Sequence, residues 1–374
     1  MSEPIEGSTI PGSVDLQNLL KQPEQESPEK SNCYQNSQIN KMKKIQQEKG
    51  IIFTTLISDF DNSYFRKDKP EETKKLEKIT EKYSIPTIIV TGIGGQKLME
   101  IIEKEGLRKP EIIVGAVGTE IFVLQQDGTY LKDEKFDDQL KKVKFDRLAI
   151  AKEALSLIEN SEYQLNFQHP DIEKDFIEGK IPPDQPYKLS FYFMGDDNNR
   201  DKVEAIVRQK FPDLEVVVCE EVHHNSQIKP GEPKKYNIDL LPKLSETDYG
   251  GKAGAVNYLQ KILEIKRGFR VGDSGNDERM LKDIAIGEGV IVGGATKELT
   301  DRIGKSATPI GETGFKRVGG GREGRRYFND ESGREGAGSI IEATIRRLQV
   351  TRRFEENPNL RRLIEDALYD LKQI

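Results

Sequence analysis

Long apolar runs are missing from this 374-residue chain. None approaches the roughly 18–20 residues that a membrane-spanning helix requires, so a membrane partner is not expected. The first residues, "MSEPIEGSTIPGSVDLQNLL", lack both a basic start and an apolar segment, which argues against a secretory signal. Cysteine is scarce. Cys33 and Cys219 lie far apart and provide neither a disulfide framework nor zinc-ligand spacing, and a reducing cytoplasm is the simplest setting. Positive charge is also in deficit, with 58 Lys and Arg against 64 Asp and Glu and a net charge of −6. That balance argues against nucleic-acid binding, which needs a strongly positive surface. What remains is a polar, soluble chain long enough for two domains.

Residues 1–46 are rich in Ser, Pro, Gln, Glu, Asn and Lys and show little periodicity, so they are read as a disordered tail with at most one short helix near Leu16–Leu20. Order is expected from "GIIFTTLIS", a short β-branched run typical of a strand buried on both faces. The helical pattern "PEETKKLEKITEKY" follows, then the strand "IPTIIVTG", the helix "GQKLMEIIEKEG" with its glycine stop, and a third strand, "PEIIVGAVGTEIFVL", running into a hairpin at "QQDGTY". Strands alternating with helices imply a parallel α/β sheet.

The middle of the chain changes character, with two helical segments among the strands "YKLSFYFM", "LEVVVCEEV" and "KKYNIDLLP". This is the pattern of an inserted α+β unit. From "GGKAGAVNYLQKIL" the first pattern resumes, ending in a Gly- and Arg-rich loop and two helices. The boundaries read as a core at 47–131 and 236–350, an inserted domain at 132–235, and a helical extension at 351–374.

Four clusters carry chemistry, each at or just beyond the C-terminal end of an expected core strand, where open α/β sheets bind ligands. In "DFD", Asp59 and Asp61 place two carboxylates so close that a cation or a shared proton is needed between them. Magnesium takes a few carboxylate oxygens and leaves positions for water and phosphate, and a carboxylate can attack phosphorus. "GDSGND" adds Asp273 and Asp277. Capping of the next helix would explain Asp277, but leaves the pair less well explained. "VTGIGG" offers the Thr91 hydroxyl and the backbone at Gly92 ahead of a helix, which suits a phosphate oxygen as well as an ordinary tight turn. Lys252, in "GGKAGA", sits at a helix N-terminus where the dipole disfavours a cation unless it faces an anion; a surface lysine is the plain alternative.

In their order and spacing these four clusters resemble the haloacid-dehalogenase-like phosphohydrolases. "SDFDNS", "AVGTEIF", "KLSFYF", "IDLLP", "GKAGAVNYL", "GDSGND" and "GVIVGGATKEL" follow the order seen in sucrose-phosphate phosphatases, over about Ile52 to Arg347. The resemblance implies a Rossmann-like core with a parallel sheet, a type-IIB α+β cap, Mg2+, and hydrolysis of a small-molecule sugar phosphate.

By that resemblance Asp59 is the nucleophile and a metal ligand. Asp61 is the acid for the leaving sugar oxygen and then the base for water, and lends its carbonyl to the metal. Thr91 and Gly92 bind phosphoryl oxygens, Lys252 neutralises developing charge, and Asp273 completes the metal site with Asn276 and Asp277.

Two departures from the family pattern bear on the substrate. Ile93 stands where the family has an arginine, and an apolar side chain cannot make a bidentate contact. Arg322, Arg325 or Arg326 could replace it. An insertion, "KLSETDYG", precedes Lys252. Sucrose 6-phosphate is the leading substrate. Mannosyl-3-phosphoglycerate, glucosylglycerol phosphate, or a catalytically weak sugar-phosphate-binding module are the alternatives. The neighbours His223 and His224 lack usual metal-ligand spacing and read as surface residues. In "FYF", Phe191 and Phe193 read as cap core with Tyr192 on the other face.

Overall fold

The computed structural model describes residues 32–49, 54–182, 185–221, 225, 227–229, 231–244, 250–265, 267–282, 288–303, 308–309, 327–329, 335–354 and 358–373. Arg322, Arg325, Arg326, His223 and His224, the short helix expected near residues 16–20, and most of "KLSETDYG" lie outside them.

Chain order in the core begins with α1 (Gln38–Glu48), β1 (Thr54–Asp59), α2 (Pro70–Lys82), β2 (Thr87–Val90), α3 (Gly95–Lys104), β3 (Ile112–Gly115), β4 (Glu120–Leu124), β5 (Tyr130–Lys132) and α4 (Glu134–Lys142). The inserted domain comprises α5 (Arg147–Asn160), β6 (Asn166–Phe167), α6 (Pro170–Ile177), β7 (Leu189–Gly195), α7 (Asp197–Lys210), β8 (Leu214–Glu220) and β9 (Lys234–Pro242). The core resumes with α8 (Gly251–Leu263), β10 (Arg267–Gly272), α9 (Glu278–Lys282), β11 (Glu288–Ile291), α10 (Lys297–Ile303), β12 (Thr308–Pro309), β13 (Tyr327–Asn329), α11 (Ala337–Phe354) and α12 (Pro358–Gln373).

Nine core strands form one sheet in the order β12-β13-β11-β10-β1-β2-β3-β4-β5, parallel except where β4 and β5 run antiparallel at one edge. Leu56 packs into one face cluster with Ile89, Ile113 and Val271, and Ile57 into the other with Ile88, Val90 and Ile112. Apolar layers on both faces explain why "TTLIS" reads as a run and not an alternation. The inserted sheet, β6-β7-β9-β8, is wholly antiparallel. One of its faces carries Leu189, Phe191, Phe193, Val216, Val218, Tyr236 and Ile238 against α5 and α7, so the alternation in "KLSFYF" is cap core, with Tyr192 on the other face. Among the described residues no helix is long and apolar enough to cross a membrane, and both cysteines are buried and free.

Three details differ from the sequence reading. The expected tail of 1–46 includes α1, which is docked. Ser37 caps it through Asn40 N–H, Ile39 is fully buried, and the Gln46 side chain bonds Thr54 N–H at 2.7 Å and the Ser84 carbonyl at 2.7 Å. Its buried face is so short and partly polar that no periodicity marks it. The inserted domain is also shifted from 132–235: Phe136 and Leu140 of α4 belong to the core, while β9 extends to Pro242 within the cap sheet.

Third, the expected strand "PEIIVGAVGTEIFVL" is two strands. Ala116, Val117 and Gly118 take φ of 48°, 58° and 94°, folding β4 back on β3. A β-branched residue there is strained by about 1–3 kcal/mol. Offsetting contacts are the bonds from Ala116 N–H to the Ile93 carbonyl (2.8 Å) and from Val117 N–H to the Thr91 carbonyl (2.9 Å).

Gly118 has a further constraint, because an added Cβ would lie 2.3 Å from the Gly251 carbonyl carbon and oxygen at the start of α8. Gly118→Ala should therefore lower stability by about 2 kcal/mol or more and, by pushing on the residue before Lys252, lower the kcat of any reaction that uses that lysine roughly tenfold, the equivalent of 1.4 kcal/mol in the barrier. Gly106→Ala is the control, since φ is +62° there but no atom lies within 4 Å. It should show only the backbone penalty in thermal melts and keep its kcat.

Candidate active site

β10, β1 and β2 are parallel neighbours, so their C-terminal ends lie side by side. Asp59 is the last residue of β1, Thr91 follows β2, and Asp273 follows β10. The chain proceeds to β2 and β3 on one side of β1 and to β11 from β10 on the other. Such a reversal opens a crevice at the strand ends, and Asp59 and Asp273 flank it.

Beyond β1 the chain turns tightly. Tyr64 N–H donates to the Asp59 and Phe60 carbonyls at 3.1 Å each, and Asn62 N–H donates to the Phe65 carbonyl at 3.0 Å. Phe60, Tyr64 and Phe65 are all buried, and the Phe60 and Phe65 rings stack at 5.6 Å. Asn62 accepts φ of 58°, a conformation asparagine tolerates better than most residues. The loop is thus anchored by its apolar residues while Asp61 stays exposed to solvent.

Lys252, in the first turn of α8, is the hub of the site. Its Nζ lies 2.5 Å from Asp59 Oδ1, 2.8 Å from Asp277 Oδ1 and 3.0 Å from Asn276 Oδ1. An ammonium has three protons, and all three are used. Burial alone would lower this lysine, but Asp277 and Asp59 outweigh it and hold it well above its ordinary value. Asp277 caps the turn and pairs with Lys252 at once. Its Oδ2 accepts from Asp273 N–H at 3.1 Å and Ser274 N–H at 3.3 Å, closing a capping box with Ser274, while its Oδ1 meets Lys252.

Asp59, Asp273 and Asp277 are all buried, and each offers an oxygen within 4.8 Å of the others, the only such acidic group among the described residues. If all were ionised, three carboxylates against one ammonium would leave two negative charges in a buried site. Desolvation first, and then the neighbouring aspartates, push Asp59 well above the carboxylate range against the pull of Lys252. Desolvation and Asp277 push Asp273 up to about 7. Hard oxygen donors with uncompensated charge suit a divalent cation such as Mg2+. Asp61 is not in this group. Its carboxyl is raised, chiefly by partial desolvation and against the pull of Lys252, and only its backbone carbonyl remains as the expected ligand.

Thr91 is buried and its hydroxyl accepts from Ile93 N–H at 3.1 Å. The helix N-terminus beyond it is less open than expected, because Gly95 N–H donates to the Glu120 carboxylate at 2.8 Å. An anion from β4 already occupies that dipole.

The cap contributes residues that the sequence reading passed over. Lys188 Nζ lies 3.5 Å from the Gly92 carbonyl and 3.4 Å from Asp239 Oδ1, and Ser190 Oγ donates to Asp239 at 2.5 Å. Lys188 and Asp239 are each under a tenth exposed. Tyr192, with Lys235 Nζ 4.6 Å from its ring centre, is on the same face. The signal was available: in "KLSFYF" and "NIDLLP" polar residues alternate with buried apolar ones, and a buried polar face needs a partner.

Comparison with known proteins agrees. The family model for sucrose-6F-phosphate phosphohydrolase matches residues 53–313. Kanosamine-6-phosphate phosphatase of Bacillus subtilis (strain 168) is 28% identical over 257 residues, 64% of this chain and 82% of that protein. An uncharacterised hydrolase of Staphylococcus aureus (strain MRSA252) is 26% identical over 240 residues, 60% and 81% of the two chains. Among solved structures, the sucrose-phosphatase of Synechocystis sp. PCC6803, in complex with sucrose and phosphate, aligns with a TM-score of 0.54 at 22% identity, covering 78% of this chain and 97% of that one. At that identity the likeness speaks for the fold.

Proposed function

Because the chain belongs to the sucrose-6F-phosphate phosphohydrolase family and is a phosphoric monoester hydrolase, we propose that it cleaves a sugar phosphate through a phosphorylated Asp59, with sucrose 6-phosphate its foremost substrate. The observation that carries this reading is the contact of Lys252 with Asp59 at 2.5 Å inside the group formed by Asp59, Asp273 and Asp277.

Asp59 attacks phosphorus with a carboxylate oxygen. The bond from phosphorus to the sugar oxygen breaks, and Asp61 gives that oxygen its proton; a raised carboxyl suits this, since it must be protonated to act. Water then attacks the phosphoryl group on Asp59, Asp61 takes the proton, and phosphate leaves with Asp59 restored. Mg2+ held by Asp59, Asp273 and Asp277 with the Asp61 carbonyl would supply positive charge to the phosphoryl oxygens. Lys252 pulls Asp59 toward its ionised form and adds charge on the transferring group, while Thr91 and Gly92 bind its oxygens. Lys188 and Asp239 face the sugar from the cap, which keeps water out during the first step.

The runner-up is another glycosyl phosphate, and it is favoured by Ile93. The relative from Bacillus subtilis, named for kanosamine 6-phosphate, widens the set. The test is phosphate release from sucrose 6-phosphate, kanosamine 6-phosphate, glucosylglycerol phosphate and mannosyl-3-phosphoglycerate, with and without Mg2+. Sucrose 6-phosphate should lead in kcat/KM by at least about tenfold, a difference of 1.4 kcal/mol. Another ester in first place moves the substrate within the class, and a flat ranking defeats the idea of a dedicated sugar.

A further inference from the structure

A buried ion pair joins the cap to the core beside the turn that carries Asn276 and Asp277. Arg200 of α7 places Nη2 2.8 Å from Glu298 Oε1 of α10, with the two side chains only 8% and 7% exposed. Glu298 also receives Glu220 N–H, from the end of β8, at 3.4 Å, so two cap elements reach one core carboxylate. Around the pair, Glu204 lies 3.1 Å from Arg200 on its own helix, and Arg302 lies 3.5 Å from Glu298.

The other side of Glu298 rests on the turn itself. A Cβ added to Gly275 would lie 2.9 Å from Glu298 Oε2, so only glycine admits the carboxylate so close. The next two residues, Asn276 and Asp277, are two of the three acceptors of Lys252. A second tether flanks the same turn, where Arg279 Nη1 meets the buried Glu215 of β8 at 2.7 Å.

We propose that Glu298 is a positioning residue that, through Arg200, couples closure of the cap to the placement of Asn276 and Asp277 around Lys252. A buried pair of this kind adds little net stability, because desolvation offsets the attraction, but it selects one geometry. With the cap open, both groups face water and the pair is nearly worthless. With the cap shut, the carboxylate is pinned between the guanidinium and Gly275, and the turn is held against Lys252. The inference rests on the reading of Lys252, Asn276 and Asp277 as parts of the reactive site.

The test uses the full chain with Glu298→Gln, Arg200→Gln, their double variant and Arg200→Lys, assayed with Mg2+ on sucrose 6-phosphate, or on whichever ester ranks first in the panel. Each Gln variant should lose about tenfold in kcat with KM within about twofold, as expected when an interaction matters in the transition state more than in binding. The double variant should lose no more than either single one, since the two act as a unit. Arg200→Lys should recover part of the loss, which a fold defect would not. Wild-type kcat in either single variant overturns the proposal, as does an additive, roughly hundredfold loss in the double.

A second readout does not depend on turnover. Spin labels at Lys97→Cys in the core and Asp213→Cys in the cap, both exposed, report the distance between the domains. Glu298→Gln should broaden that distribution toward longer values, and an unchanged distribution overturns the clasp even if the wild type cleaves no ester in the panel. Absent phosphate release together with a broadened distribution would instead count against the functional reading and leave the clasp standing.

Discussion

Asp59→Asn should abolish phosphate release, with a fall of ~10^4-fold or more, in the range seen when a nucleophile is removed. The amide keeps the size of the carboxylate and one oxygen for Lys252, but its nitrogen cannot attack phosphorus. The fold should survive the change. One of three crowded buried carboxyls is replaced by a group that never ionises, so the repulsion among them is relieved while Asp277 and Asn276 still hold Lys252. Thermal denaturation should give a Tm equal to or above that of the wild type, the usual sign of a site built at the expense of stability. A variant that hydrolyses sugar phosphates at the wild-type rate would remove Asp59 from the mechanism.

Removing divalent cations should have the next largest effect. After chelation, phosphate release should fall by about a hundredfold or more, in keeping with the several kcal/mol that a metal ion contributes to charge stabilisation, and added Mg2+ should restore it. Mg2+ should also stabilise the folded protein, by about 2.7 kcal/mol at a hundred times its Kd.

The pH dependence has a definite sign. Asp59 and Asp273 are raised in the fold, the latter to about 7, so without metal they bind more protons folded than unfolded. Their contribution to stability is therefore fully present below the ordinary carboxylate range and is lost as pH rises through about 7. Metal-free protein should show a falling Tm from pH 6 to 8, and saturating Mg2+ should flatten that slope. Protons compete for the same oxygens, so the Mg2+ concentration needed for half-activation should rise as pH drops below 7. Full activity after chelation would refute the metal requirement.

Particular elements show how far the sequence could be read. β1 and β2 were legible because a parallel strand buried on both faces is a short apolar or β-branched run, and β10, interrupted by Arg270, from its place between a helical pattern and "GDSGND". The polar residues directly after those runs could be located for the same reason. Asp277 shows the limit of local reading. Its capping role follows from spacing, whereas its bond to Lys252 spans 25 residues and depends on where α8 lands. The hairpin at Ala116–Gly118 was hidden because "IIVGAVGTEIFVL" is broken only by Thr119 and Glu120 beyond the turn, and positive φ at Ala116 and Val117 has no compositional mark. α1 was hidden for the opposite reason, since its single buried face is held by the amide of Gln46 as much as by Ile39.

By itself, then, the sequence determined the alternation of strands and helices apart from α1 and the β3–β4 turn, the inserted α+β domain, and which aspartates and which lysine end beside the strand edges, because those follow from periodicity and spacing along the chain. Only the tertiary structure decided that Asp59, Asp273 and Asp277 converge while the Asp61 carboxylate stands apart, that Glu120 occupies the N-terminus of α3, and that Lys188, Asp239, Arg200 and Glu298 belong to the site's surroundings. Desolvation and through-space attraction decide these, and both depend on distances that a linear pattern does not contain.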